Sequence, residues 1–113
     1  MMGNPDPRAI EACRLFAEMS GWPGAKGFIL YGSRARGDYN EDSDADLAII
    51  VEGKPENSWD ELLAMNRVVW KVFDQTGIQI EPILIGEAAL EKPEEGTNPT
   101  FLREIKKDGV KIA

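Results

Sequence analysis

Two short apolar runs bracket a polar, glycine-containing segment in the first half of this chain, and that bracketing limits what the sequence can fold into. Residues 27–31 (GFILY) have the length and content of a buried strand. Residues 44–51 (DADLAIIV) form a second run, in which Ala45, Leu47 and Ile49 alternate with Asp46, Ala48 and Ile50. Its β-branched end favours a strand. The segment between them, residues 32–43, is polar and rich in Gly, Asp and Asn. Ser33 is placed to cap one short helical turn running through Arg36 before the loop begins. A polar loop held between two buried strands is a common place for chemistry.

The flanking sequence supplies helices for such strands to pack against. Ile10, Cys13, Leu15, Phe16, Ala17 and Met19 recur at roughly helical spacing after Asp6, the expected cap, and Pro7, the expected first helical residue. This helix is expected to end near Ser20, before the breaker cluster Gly21, Trp22, Pro23 and Gly24. Ser58, with Asp60 and Glu61 behind it, opens a longer helix through Leu62, Leu63, Met65, Val68, Val69, Trp70, Val72 and Phe73, closing near Thr76 and Gly77. Residues 78–85 (IQIEPILI) read as a third strand with Gln79 and Glu81 on one face, and Pro82 marks an edge position or a bulge. Residues 86–99 are turn-rich with a short helix over 87–91, residues 99–107 form a last helix, and residues 110–112 a final strand. Strands and helices alternating through short connections predict a small mixed β-sheet with helices packed on it. The fold class is α/β or α+β, in a single domain over residues 1–113. Trp22, Trp59 and Trp70 are expected as core or helix-edge packing rather than as a ligand cage.

Charge narrows the chemistry. Thirteen basic side chains face 20 acidic ones with no histidine, a net charge of -7 that argues against direct nucleic-acid binding. Arg34 and Arg36 nonetheless give the glycine-rich segment a locally basic character compatible with a small anionic ligand. Cys13 is the only cysteine, so an internal disulfide is excluded; a buried thiol and a reducing, cytoplasmic setting are expected. No apolar leader and no run of about 18 apolar residues occurs, so neither a secretory signal nor a membrane span is expected. Without histidine, a zinc site of nitrogen and sulfur ligands cannot be assembled, and any metal must be held by oxygen.

Asp44 and Asp46 leave the same face of a strand, with α-carbons about 6 to 7 Å apart. Two carboxylates that close repel, and the arrangement makes physical sense if divalent cations sit between them; oxygen ligands favour magnesium or manganese. Glu81 supplies a third acid if its strand lies beside the second one, and is otherwise a structural carboxylate on an edge strand. Gly32 and Ser33 follow directly on a strand, so backbone N–H groups and a hydroxyl form a phosphate cradle beside the acids; taken alone, the pair is a turn with a helix cap. Arg34 and Arg36 either contact a triphosphate or a partner, or are solvated loop charges paired with Asp38 or Glu41.

Residues 32–47, GSRARGDYNEDSDADL, resemble the signature of the DNA polymerase beta-like nucleotidyltransferase superfamily. Within it, GSRARG followed by SDADL is similar to the minimal nucleotidyltransferase group, and the ending PTFLREIKKDGVKIA extends the likeness over most of the chain. The resemblance implies ATP as substrate, with Gly32, Ser33, Arg34, Arg36 and Ser43 around the nucleotide. It further implies magnesium, or manganese, at Asp44 and Asp46, with Glu81 as third carboxylate. Members often carry Asp at that third position, and Glu81 reaches one methylene further. The implied reaction is transfer of AMP to a hydroxyl of a partner protein, a tyrosine of a HEPN toxin, with this chain as its antitoxin. Larger relatives append a helical domain, so here a partner or an oligomer is expected to complete the site. The rival expectations are a non-catalytic antitoxin that occludes its partner, and transfer to a small acceptor such as an antibiotic hydroxyl.

Overall fold

The computed structural model describes residues 3–22, 24–53, 58–96 and 98–112. Pro23 of the expected breaker cluster and Thr97 of the turn-rich segment lie outside them. Helix α1 (Pro7–Ser20) begins where expected: the Asp6 side chain accepts a hydrogen bond from the Arg8 N–H and Pro7 opens the first turn. Strand β1 (Ala25–Tyr31) is followed by a single helical turn, α2 (Ser33–Arg36), and by strand β2 (Ala45–Val51). Helix α3 (Trp59–Thr76) carries a complete capping box. Ser58 accepts from the Glu61 N–H, the Glu61 side chain accepts from the Ser58 N–H, and Gly77 closes the far end in the left-handed conformation. Strand β3 (Ile80–Gly86), helix α4 (Glu87–Glu91), a 3-10 turn (Pro93–Glu95), helix α5 (Pro99–Asp108) and strand β4 (Val110–Lys111) complete the described chain.

The four strands form one sheet in the order β3-β2-β1-β4. Strand β1 runs antiparallel to β2 and β4, while β2 and β3 are parallel with α3 as the crossover, giving the mixed sheet expected of the sequence. Side chains alternate across it. Leu30, Leu47, Ile49 and Ile80 meet Phe16 and Cys13 of α1 and Met65 and Val72 of α3 on one face. Ala48, Ile50 and Ile85 meet Leu102 and Ile105 of α5 on the other. Pro82 lies on β3, an edge strand, where a missing N–H is tolerated.

Three local expectations shift. Ser33 does not cap α2: Gly32 occupies the cap position and no side chain caps that turn. Strand β3 starts at Ile80 rather than residue 78, because the Ile78 N–H donates to the Thr76 hydroxyl (3.1 Å) at the helix exit instead of to a neighbouring strand. Of the three tryptophans, Trp22 is half-buried against the core, whereas Trp59 and Trp70 stand 73% and 60% exposed on the outer side of α3.

Candidate active site

Sheet register builds the site. Asp46 pairs across the sheet with Tyr31 of β1 on one side and with Glu81 of β3 on the other. The same alternation that buries Leu47 and Ile49 under α1 and α3 turns Asp46 and Glu81 to the opposite face, where α4 and α5 cover only the far end. Phe101 of α5 meets the Tyr31 ring edge-on (5.5 Å between centroids) and marks where that cover stops. Beyond it Asp44 and Asp46 are half-buried and Glu81 is exposed. Asp44 sits one residue ahead of β2, close enough for its charge to act on Asp46.

The glycine-serine corner flanks Asp46 from the β1 side. Gly32 adopts φ +78°, a left-handed conformation, and a Cβ built on it would overlap the Asp46 Oδ2 atom. Glycine is therefore required twice over, for the turn and for the approach of the carboxylate. Gly32 C=O accepts from the N–H groups of Ala35 (3.1 Å) and Arg36 (3.0 Å), starting α2. The leading N–H groups, those of Ser33 and Arg34, have no earlier turn to donate to.

Arg34 and Arg36, adjacent in the motif, have different surroundings. Arg34 is 2% exposed and ion-paired with Asp6, itself 1% exposed. Its Nε donates to Ser43 C=O (2.7 Å), its Nη2 reaches the carbonyls of Asn40 (3.4 Å) and Glu41 (3.3 Å), and its guanidinium lies 4.9 Å from the Tyr39 ring centre. It is a strut tying α1, α2 and the 38–43 loop together, not a solvated loop charge. Arg36 is partly exposed, pairs with Asp38 (3.2 Å), and its charge reaches Asp46. The Ser43 hydroxyl accepts from the Asn40 N–H (3.0 Å) and closes the turn that delivers Asp44.

Burial, then the charges of Glu81 and Asp44, raise the Asp46 carboxyl above its ordinary range, with Arg36 opposing them. The Tyr31 phenol is pushed up to about 12 by burial and by the charges of Asp46 and Glu81, so it stays protonated at neutral pH. Cys13 is also pushed up to about 12, first by burial and then by Asp46, and is a neutral core thiol. Among the described residues no three Asp, Glu, Cys or His side chains form a ready-made metal cage. The donor set is nonetheless of hard carboxylate oxygens under mutual repulsion. That fits a small divalent cation which takes one or two carboxylates and completes its shell with phosphate and water oxygens.

Sequence reasoning missed Tyr31 and Asp6. Tyr31 becomes a neighbour of the acids only through strand register. Asp6 was legible as a helix cap, but its pairing with a residue 28 positions away was not.

A small mixed sheet with carboxylates beside a strand-glycine-helix corner defines the polymerase beta-like nucleotidyltransferase fold. The chain belongs to the nucleotidyltransferase domain family, which matches residues 13–112. No curated protein matches it by sequence search. Among solved structures it is similar to a Sulfolobus solfataricus protein assigned as a nucleotidyltransferase, at 23% identity and TM-score 0.60, over 92% of this chain and 78% of that one. It is also similar to a toxin-antitoxin structure containing AMP-PNP, at 13% identity and TM-score 0.61, over 92% of this chain and 72% of that one. A third likeness is to the complex of a tri-AMPylated Shewanella oneidensis HEPN toxin with its MNT antitoxin, at 13% identity and TM-score 0.52, over 94% and 69%. At these identities the likeness is one of fold.

Proposed function

We propose that this nucleotidyltransferase domain transfers AMP from ATP to a hydroxyl of a partner protein, a tyrosine of a HEPN-type toxin, and so acts as an antitoxin. The observation that carries the reading is the contact of Gly32 with Asp46, whose strand neighbour is Glu81. That closeness supports reading the glycine corner and the acids as two sides of one nucleotide site. Neighbours of the same fold that hold AMP-PNP or an AMPylated HEPN toxin support ATP as donor and a protein as acceptor.

In this reading the leading N–H groups of α2 and the Ser33 hydroxyl hold the triphosphate, and Arg36 offsets negative charge nearby. Asp44 and Asp46 would hold magnesium or manganese, which would supply charge neutralisation at the phosphate oxygens, with Glu81 as third ligand or general base. Arg34 and Ser43 position the loop that delivers Asp44, so they serve the nucleotide site through the backbone. Glu81 stands on the outer strand, from which as general base it would take the proton from the attacking hydroxyl. The new bond forms between that oxygen and the α-phosphorus, the bond to the β-phosphate breaks, and pyrophosphate leaves with the electron pair. Positioning and charge stabilisation carry such a transfer, and no histidine is needed.

The test is incubation with ATP labelled at the α-phosphate, magnesium, and a HEPN toxin as acceptor. Label is expected on a toxin tyrosine, and the toxin should lose activity. The Asp44→Ala, Asp46→Ala double variant should transfer no label and fail to neutralise. Neutralisation by that variant at equal dose would assign protection to occlusion and overturn the catalytic reading.

A further inference from the structure

Beyond the acids the same sheet face continues into a cavity. Glu81 and Ile83 alternate with Ile80 and Leu84 along β3, so both leave the face that carries Asp46. Ile83 is aligned with Ala48 of β2 and stands 38% exposed, a large apolar side chain left uncovered two residues from a carboxylate. Past it, Ile85, Ala88, Phe101 and Leu102 help to enclose a cavity of about 660 Å³ between β3, α4 and the start of α5, a size suited to a small molecule or an inserted side chain. Among the described residues Asn98 is the one polar side chain lining it, and its oxygen already accepts from the Phe101 N–H (3.3 Å). The end nearest the acids is set by Ile83 and by Phe101, whose ring meets Tyr31, the strand partner of Asp46.

We propose that this cavity is the acceptor subsite, in which Ile83 and Phe101 select a phenolic hydroxyl over an aliphatic one. The inference rests on the transfer reading above and names the side chains that choose its acceptor. Position points to the acceptor. The glycine corner meets Asp46 from the β1 side, whereas Glu81 and the cavity lie on the β3 side, so the cavity adjoins the acid assigned to the incoming hydroxyl. Length points to a phenol. Ile83 lies about 7 Å along the strand from Glu81, close to the reach of a tyrosine from its hydroxyl to its β-carbon. A phenol whose oxygen meets Glu81 lays its ring over Ile83 and against Phe101, while a serine or threonine hydroxyl at the same point leaves the cavity unfilled. Charge agrees, because apolar walls with a carboxylate at one end match an uncharged ring with an O–H at its tip. Strand β3 is an edge strand, so a side chain carried by a partner protein can enter without crossing the sheet.

The test titrates N-acetyl-tyrosinamide and N-acetyl-serinamide into the full chain, with and without magnesium and AMP-PNP, and follows the Ile83 methyl signal by NMR. The tyrosine amide is expected to shift that signal with a Kd on the order of 1 mM, as suits a fragment-sized ligand, and the serine amide to bind at least about tenfold more weakly. Ile83→Asn should remove that preference. Ala88→Leu, at an exposed position on the cavity wall, narrows the cavity and leaves the core untouched. It should raise KM for the HEPN toxin about tenfold, with kcat and the thermal shift by magnesium and AMP-PNP within about twofold of wild type; a merely structural effect would move all three. No Ile83 shift from the tyrosine amide, with or without nucleotide, would overturn the proposal. Displacement of the amide by AMP-PNP would do the same, by assigning the cavity to the nucleobase. If the amide binds at Ile83 while labelled ATP transfers nothing to the toxin, the phenol subsite stands and the transfer reading falls.

Discussion

The carboxylate of Asp46 is held where folding works against its charge, half-buried and next to Glu81 and Asp44. A group whose folded-state affinity for a proton is raised destabilises the fold once it ionises, so removing the charge should help stability while removing the chemistry. Asp46→Asn is expected to raise stability by about 1 kcal/mol in metal-free buffer and to abolish nucleotidyl transfer, read by denaturant unfolding beside the labelling assay. Destabilisation would mean that Asp46 is a structural ligand rather than a strained functional one. Gly32→Ala tests the other side of the same contact. Its Cβ would overlap the Asp46 carboxylate at a backbone angle unsuited to alanine, so a loss of about 1 to 3 kcal/mol is expected together with lost transfer. The nearness of Asp44 to Asp46 follows from their two-residue spacing, but the strand expected from Asp44 begins only at Ala45, so strand alternation does not fix the face of Asp44. Tyr31 was not legible as a neighbour, because which β1 residue lies beside Asp46 depends on register, and register is decided by both cores at once.

Between the elements, the Asp6–Arg34 pair does work that neither local sequence announces. Asp6 caps α1 and simultaneously receives the guanidinium of α2, which in turn holds the carbonyls of the loop leading to Asp44. Burial works to raise the Asp6 carboxyl, but the Arg8 N–H, the Arg34 hydrogen bond and the charges of Arg8 and Arg34 together outweigh it and hold the group below its usual range. An acid depressed in the folded state adds stability that is complete above its unfolded value, about 4, and is lost as pH falls through the lower folded one. Asp6→Asn keeps a capping side chain but strands a buried guanidinium, and is expected to cost about 3 kcal/mol at pH 7. The gap between wild type and variant should narrow below pH 4 in unfolding curves recorded from about pH 7 to 2; a gap constant over that range would show that the Asp6 charge does not carry the stabilisation. Helix limits such as those of α3 were legible, since Ser58, Glu61 and Gly77 are local signals with local causes. The start of β3 was misjudged because the apolar run continues into Ile78, which is core but not strand.

At the scale of the whole molecule, a net charge of -7 and a group of neighbouring acids set the order in which ligands can bind. ATP alone brings more negative charge to carboxylates that already repel one another, so its affinity without a divalent cation should be poor. Magnesium alone meets no ready-made cage among the described residues, so it too should bind weakly. In the proposed site each would supply what the other lacks, since the cation would offset the acids and the triphosphate would bring further oxygen donors. Linkage turns this into a stability measurement, because a ligand at a hundredfold its Kd adds about 2.7 kcal/mol to the folded state. For a domain of this size that corresponds to a Tm rise of roughly 10 °C. Thermal unfolding with magnesium and a non-hydrolysable ATP analogue together should show a shift of that order. Either ligand alone should give less than about 2 °C, by the same relation at concentrations below Kd. Asp44→Ala with Asp46→Ala should abolish the joint shift while leaving the unliganded protein folded. An analogue that stabilises equally in magnesium and in excess chelator would show that the acids are not where the nucleotide's charge is met.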